Sequence, residues 1–199
     1  MTTDDAGFLR PAPPSPGADR LFAEDREKFG FVMNLSRAWS HLPDAHDALF
    51  GLLGRTAETA GLTFQQRGVI IAALASTMGD PHCSLAWGTR LAGAAGAELA
   101  AGVLRGDDSG LESADRALAA WARKLARDPN GTGEGDVEAL RAAGYDDEQI
   151  AAVTVFVALR IAFSTVNDAL GAQPNRDLAA AAPEAVRAAV TFGRPVARA

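Results

Sequence analysis

Two segments of the chain, 64–78 and 147–169, predict helices that are apolar on nearly every side. In the first segment, Val69, Ile70 and Ile71 follow one another directly, so the apolar residues are not confined to one face. A helix of this kind must be covered all round, either by the rest of its own chain or by a partner subunit. The two segments therefore predict the centre of one helical bundle.

Capping signals set the limits of these helices. Thr63 with Gln66 three positions later is a capping box, and Asp80 followed by Pro81 is typical of the start of another helix. No segment alternates apolar and polar residues as a strand would. The chain has 199 residues, which suits one well-cored domain, so we predict an all-α, single-domain protein. Helices are predicted over 20–28, 34–40, 43–59, 64–78, 81–94, 96–105, 113–127, 134–143, 147–169 and 183–191.

The first nineteen residues differ from the rest of the chain. They contain four prolines, with Asp4 and Asp5 near the start, but no apolar run, so they do not have the pattern of a signal peptide. We predict a disordered, proline-rich arm over 1–19 and the folded domain over 20–199. The single cysteine, Cys83, has no partner for an intramolecular disulfide, which fits a reducing cytoplasm.

Charge and composition argue against several function classes. The net charge of −6 is unlike that of a nucleic-acid surface, which needs clustered Lys and Arg. The most apolar run, 150–163, is interrupted by Arg160 and is shorter than the roughly 20 residues that span a bilayer. We therefore predict neither nucleic-acid nor membrane binding. The glycines at 131, 133 and 135 do not have dinucleotide-fingerprint spacing, and we predict no cofactor and no metal site.

Cys83 is the leading candidate for chemistry because it lies in the first turn of the helix that follows Asp80. Unpaired N–H groups and the helix dipole favour a thiolate there, whereas the negative charge of Asp80 opposes it. The balance predicts little depression of the thiol pKa, or a rise. The alternative is that Cys83 is only a small buried apolar side chain.

Asp80, His82, Trp87 and Arg160 each have a structural and a functional interpretation. Asp80 is most simply an N-cap and His82 a solvated first-turn residue, and the alternative for both is a catalytic role in acid–base chemistry. Trp87, one turn beyond Cys83, either packs in the core or lines a small apolar pocket. Arg160 lies in an otherwise apolar helix and needs a carboxylate partner or an exit to solvent. For Arg160 we predict a structural salt bridge, with substrate binding as the alternative.

The apolar helix that leads into a first-turn cysteine resembles the alkylhydroperoxidase D / carboxymuconolactone decarboxylase family. The resemblance extends over 22–34, 92–129 and 142–171 and is strongest for the peroxidase-related members. It implies an alkylhydroperoxidase D-like helical bundle and a homo-oligomer, commonly a trimer, hexamer or dimer.

The departures from the family pattern limit which function the resemblance implies. The peroxidase members have a glutamate, two cysteines separated by two residues, and a histidine. The matching positions here hold Gly68, Asp80, Cys83 and Trp87, so only the second cysteine is present. We expect the disulfide-based peroxidase cycle to be absent. A one-cysteine cycle remains chemically possible if an external thiol reduces the sulfenic acid.

Two functions are open at this point. The first is a divergent enzyme that acts on a small organic molecule, as an oxidoreductase or as a lyase or isomerase. Cys83 would be its central catalytic residue, Asp80 and His82 would assist, and Gly68 and Trp87 would line the pocket. The second is a catalytically silent, oligomeric binding or scaffold protein of the same family.

Overall fold

The computed structural model describes residues 7–198, and within that range all regular secondary structure is helical, with no strand. Eleven α-helices follow one another, together with one 3₁₀ turn over Pro129–Gly131. Their bounds are α1 Pro16–Phe29, α2 Asn34–Trp39, α3 Pro43–Thr59, α4 Phe64–Met78, α5 Pro81–Ala95, α6 Ala97–Arg105, α7 Ser113–Arg127, α8 Glu134–Ala142, α9 Asp147–Ala169, α10 Arg176–Ala181 and α11 Glu184–Ala189. The all-α prediction is confirmed. Helix α10 was not predicted from the sequence.

Helix α4 forms the centre of the bundle. It is surrounded by α5, α6, α7 and α9, and every residue from Val69 to Ala75 is at most 1% exposed. Its start has the predicted capping box, in which Thr63 Oγ1 accepts from the Gln66 N–H and Gln66 Oε1 accepts from the Thr63 N–H. The uniform apolar character of this segment thus corresponds to burial on all sides.

Helix α9 is covered on one side only. Phe156, Val157 and Phe163 point into the core, where the helix packs mainly on α3 and also on α4, α7 and α8. Val155, on the opposite face, is 45% exposed. Among residues 7–198, α9 is the one helix that is long and apolar enough to cross a bilayer. A core helix can have the same length and composition, and α9 packs against four other helices of the bundle. The expectation that both apolar helices are enclosed therefore holds for α4 alone within this chain.

The N-terminal arm is more ordered than predicted. Helix α1 begins at Pro16, where Ser15 Oγ caps the Ala18 N–H, and the Phe8 N–H donates to Leu170 O at 2.8 Å. Residues 16–19 of the predicted arm are therefore helical, residues 7–15 form neither helix nor strand, and residues 1–6 lie outside the described residues. Proline enrichment indicated disorder, but a proline at the first helical position costs no hydrogen bond.

Candidate functional site

The turn between α4 and α5 positions the candidate residues. Gly79 ends α4 in the left-handed conformation (φ 78°), and Asp80 then caps α5 because its Oδ1 accepts from the Cys83 N–H at 2.9 Å. The C-terminal segment lies directly on this turn. A Cβ on Gly193 would lie 2.4 Å from Gly79 O and 2.5 Å from Pro81 Cδ, so only glycine fits there. The predicted N-cap is confirmed, and the overlying segment shields it from water.

Cys83 lies in the wall of a cavity of about 390 Å³ lined by residues of α1, α2, α3, α5, α9 and α10. The side chain is 2% exposed, and its Sγ accepts a hydrogen bond from Arg160 Nη2 at 3.4 Å. The cavity is lined by Leu21, Glu24, Asp25, Lys28, Phe29, Met33, Leu35, Ser36, His46, Asp47, Phe50, His82, Cys83, Ala86, Trp87, Arg90, Arg160, Phe163 and Leu178. Its volume is in the range of small-molecule sites.

Cys83 is a thiol, not a thiolate, at neutral pH. Burial raises the pKa of Cys83 well above its ordinary value, and the negative charge of Asp80 adds to the rise. The Arg160 guanidinium favours the thiolate but is outweighed. The direction agrees with the sequence-based expectation, although burial contributes more than the Asp80 charge on which that expectation rested.

His82 lies in the same wall and is neutral as well. It is buried, with no hydrogen-bond partner for Nδ1, so the interpretation as a solvated residue is wrong. Burial lowers the pKa of His82 to about 4, against the opposing influence of Asp80, and Arg90 and Arg160 add to the fall. A neutral imidazole can accept a proton from a molecule in the cavity.

Asp80 contributes to the site indirectly. It is completely buried, Oδ2 has no hydrogen-bond partner, and the residue is not part of the cavity wall. Its charge instead acts on its neighbours, since it favours the neutral thiol of Cys83 and raises the pKa of Asp168, which burial and Asp80 together bring to about 7. Asp80 is therefore placed as a positioning residue.

The two remaining predicted positions differ. Gly68 is not in the cavity wall; it faces Leu91 in α5, whose Cβ would lie 3.4 Å from an added Cβ. Small size at this position serves the close approach of α4 and α5. Trp87 lines the cavity, as the second of its two interpretations expected. Its ring lies beside two guanidinium groups.

Arg160 and Arg90 complete the site. Sequence reasoning offered substrate binding only as the alternative for Arg160, and it did not indicate Arg90. The predicted salt bridge of Arg160 is wrong, because no carboxylate in the described chain lies within 4.0 Å of its guanidinium and Nε has no hydrogen-bond partner. The one available signal was a charge in the middle of an apolar helix. Arg90, one turn beyond Trp87 on α5, gave no signal, since arginines near helix ends are common.

Asn167, a polar residue near the end of α9, has a structural role. Asn167 is fully buried, and its Oδ1 accepts from Trp39 Nε1 at 2.9 Å, which ties α2 to α9.

No group of three His, Cys, Asp or Glu within residues 7–198 could hold a metal ion.

Solved structures share this arrangement of helices. An alkylhydroperoxidase D core, an uncharacterized peroxidase-related protein from Ralstonia eutropha JMP134, superimposes with a TM-score of 0.72 at 24% identity, covering 85% of this chain and 93% of that one. An uncharacterized peroxidase-related protein from Silicibacter sp. TM1040 gives a TM-score of 0.74 at 20% identity, with 88% and 95% covered. This chain has the alkylhydroperoxidase D-like fold.

A third solved structure with the alkylhydroperoxidase D-like fold carries a ligand. It is a cysteine-to-alanine variant of the debrominase Bmp8 in complex with 2,3,4-tribromopyrrole, with a TM-score of 0.67 at 18% identity, and 96% of this chain and 97% of that one are covered. No family model matches the sequence, and no curated protein matches it either. The predicted fold is confirmed, and the likeness at these identities concerns the fold alone.

Proposed function

We propose that the protein is an enzyme that acts on a small organic molecule in the cavity beside Cys83, by proton transfer of the lyase or isomerase type. One observation carries the proposal: Cys83 and His82 line the same cavity, where burial raises the pKa of the Cys83 thiol and lowers the pKa of the His82 imidazole, which favours the neutral form of both. One can donate a proton and the other can accept one, which is the pairing that general acid–base catalysis needs.

A redox cycle fits this site less well. Cys83 is the single cysteine, so the chain has no second thiol to close a disulfide within itself. A one-cysteine peroxide reaction starts from the thiolate, and the raised pKa of Cys83 keeps that form scarce.

The proton balance of an isomerisation closes on these two residues. His82 accepts a proton from a substrate carbon, and the C–H electron pair forms a new double bond. The electrons of the former double bond take up the Cys83 proton at another carbon. The resulting thiolate is stabilised by Arg160, and proton return from the His82 imidazolium resets the site. Because a base with a pKa of about 4 removes only acidic protons, we expect a carbon activated by an adjacent carbonyl or unsaturated group.

The ligand of Bmp8 supports a small organic molecule as the occupant. The cysteine-to-alanine variant of that debrominase is in complex with 2,3,4-tribromopyrrole, a planar heteroaromatic molecule. A protein with this fold thus accommodates a ligand of the size that a cavity of about 390 Å³ suits.

Deuterium incorporation tests the proposal even when the product is unidentified. A panel of β-keto acids and unsaturated carboxylic acids and amides is incubated with the protein in D₂O, and proton NMR follows exchange at the activated carbon. We expect exchange with at least one compound and a loss of about 10²–10⁴-fold in His82→Gln. Exchange that is as fast in His82→Gln and in Cys83→Ala as in the wild type would contradict the proposed roles.

The alternative is a catalytically silent binding protein. It is favoured by the distance of both pKa values from 7, since efficient acid–base catalysts titrate near the working pH. Saturable binding of panel compounds with no exchange in any of them would establish this alternative.

We also propose a cytoplasmic homo-oligomer. The open apolar face of α9, with Val155 45% exposed, supports contact with a second copy of the chain. Light scattering at micromolar concentration should give a multiple of the 20.6 kDa chain mass, and a monomer mass would refute self-association.

A further inference from the structure

Two guanidinium groups occupy one wall of the cavity without a carboxylate partner. Arg160 is 4% exposed, its Nε has no hydrogen-bond partner, and the one group that accepts from it is the Cys83 sulfur. Arg90 lines the same wall and likewise has no carboxylate within 4.0 Å among the described residues. Arg160 is buried and Arg90 is half-buried. Buried cations are normally paired, so the arrangement lacks a negative charge near Arg160.

Aromatic rings provide part of the compensation. The guanidinium carbons of Arg90 and Arg160 lie 4.8 and 5.8 Å from the Trp87 ring centroid. Arg160 also lies 5.0 Å from the Phe163 ring, and Arg90 lies 5.9 Å from the Phe29 ring. Cation–π contacts hold the two charges in place but do not neutralise them. Burial lowers the pKa of Arg90, and the positive charge of nearby Arg160 lowers it further.

The acidic residues of the cavity are already occupied. Glu24 pairs with Lys28 at 3.4 Å, and Asp47 pairs with Arg20. Asp25 Oδ2 accepts from the Met33 N–H at 2.9 Å. None of these three carboxylates forms an ion pair with either of the two cavity arginines. Within residues 7–198 no carboxylate supplies the counter-charge, and an anion bound in the cavity would supply it.

We propose that this wall binds a planar aromatic monoanion, a carboxylate or a phenolate, with the charged group on Arg90 and Arg160 and the ring against Trp87 and Phe163. The guanidinium fork matches a carboxylate, and the aromatic and aliphatic lining suits a flat apolar body. The inference rests on the proposed function and narrows its substrate to an aromatic anion whose activated carbon lies outside the ring.

The proposal also gives Arg160 a place in the reaction. An anion bound at its guanidinium lies next to Cys83, whose sulfur accepts from the same group. Negative charge that develops on the ligand during proton abstraction would be stabilised by the two cations. Arg160 thereby acts on the substrate as well as on the thiol.

Titration calorimetry with benzoate tests the charge requirement. Benzamide is the neutral match of similar shape, and cyclohexanecarboxylate is the non-aromatic match. We expect benzoate to bind at least about 10-fold more tightly than benzamide, because charge-assisted hydrogen bonds are the stronger kind. We expect it also to bind more tightly than cyclohexanecarboxylate, because the flat ring packs on Trp87. Equal affinity for benzoate and benzamide, or no benzoate binding at millimolar concentration, would overturn the proposal.

Substitution of the arginines locates the site. Arg160→Met should weaken benzoate binding by about 10–100-fold, and Arg90→Gln should weaken it in the same direction. Arg105→Gln is the matched control, because it removes one positive charge from an exposed residue at the end of α6, outside the cavity wall. A loss in Arg105→Gln as large as in Arg160→Met would show only a general field effect and would overturn the assignment.

The two proposals fail separately. Arginine-dependent benzoate binding without deuterium exchange in any compound would leave the anion site and refute the enzyme. Exchange in a carboxylate of the panel that Arg160→Met leaves unchanged, together with no benzoate binding, would leave the enzyme and refute the anion site. Circular dichroism of each variant establishes that it is folded before binding is compared.

Discussion

Arg123 and Arg160 are both buried arginines on core helices, yet their surroundings are opposite. Arg123 in α7 is 7% exposed and forms an ion pair with Asp108 at 2.8 Å. Its guanidinium also donates to Ala73 O at 3.1 Å and to Val103 O at 2.6 Å. Arg160 in α9 is 4% exposed and donates to one sulfur, with aromatic rings beside it.

The comparison separates a structural charge from a functional one. The guanidinium of Arg123 joins α4, the end of α6 and the loop that follows it, so the charge is fully used by the folded chain. The guanidinium of Arg160 faces a cavity and lacks a counter-charge. Burial of a charge without a partner costs free energy. A protein retains such a charge when a ligand completes the site.

The largest effect is expected from Arg123→Met. The substitution leaves Asp108 and two backbone carbonyls without their donor, and loss of one partner of a buried pair costs about 3–5 kcal/mol. Urea denaturation measures the free energy of unfolding. A loss under about 1 kcal/mol would place Arg123 among the weak surface pairs and remove the contrast with Arg160.

The next largest expected effect is the change in the free energy of unfolding when His82 is titrated with acid. The folded pKa of His82 is about 4 and its ordinary value is 6.5, so below pH 6.5 the unfolded chain binds a proton that the folded chain does not. The free energy of unfolding therefore falls as the pH falls, by about 3 kcal/mol between pH 7 and 4. Asp168 works in the opposite sense, because its folded pKa of about 7 adds stability that is lost as the pH rises through 7.

The difference between wild type and His82→Gln isolates the histidine from Asp168. Denaturation curves of both proteins at several pH values should diverge between pH 6.5 and 4, with the variant losing less stability. Parallel curves would mean that His82 is already protonated or solvated in the folded protein.

Arg160→Met is expected to change stability in the direction opposite to Arg123→Met. It replaces an unpaired buried charge by an apolar side chain of similar length, so the ligand-free protein should gain about 1–2 kcal/mol. The melting temperature should rise by several degrees for a chain of this size. A loss of stability comparable to that of Arg123→Met would show that Arg160 is structural, and the comparison would fail.

The smallest expected change is in the pKa of Cys83, the thiol that Arg160 contacts. Asp80→Asn retains a capping oxygen but removes a charge that raises the pKa of Cys83, so this pKa should fall while staying above its ordinary value because burial remains. The pH profile of the alkylation rate measures it, with denatured protein as the reference. A wild-type profile with a midpoint near pH 6 would instead identify Cys83 as an activated nucleophile.

Most of the helices were predictable because their signals are local. Capping residues at Thr63, Asp80 and Asp146 act within four residues, and each accepts the expected backbone N–H. Helix α10 was missed because its six residues, rich in alanine, carry no side-chain cap. The start of α1 was placed too late because prolines suggested disorder over a stretch that packs on the end of α9.

The candidate site was predicted only in part. Cys83, His82 and Trp87 were found because they lie within one helical segment whose start could be read from the sequence. Gly68 was assigned to the pocket from the resemblance alone and faces Leu91 instead. The arginines were missed as a pair because they lie 70 positions apart in the chain, on different helices.

Local signals in the sequence were sufficient for the all-α fold, the helix starts and the presence of a single thiol at the start of α5, since each depends on neighbours within a few positions. The environment of that thiol was settled by the packing of distant helices. Whether Cys83 ionises, whether His82 is neutral and whether Arg160 has a counter-charge depend on burial and on charges brought together from separate segments. Electrostatic free energy in a low-dielectric interior depends on distances between such groups, and the fold, not the local sequence, sets those distances.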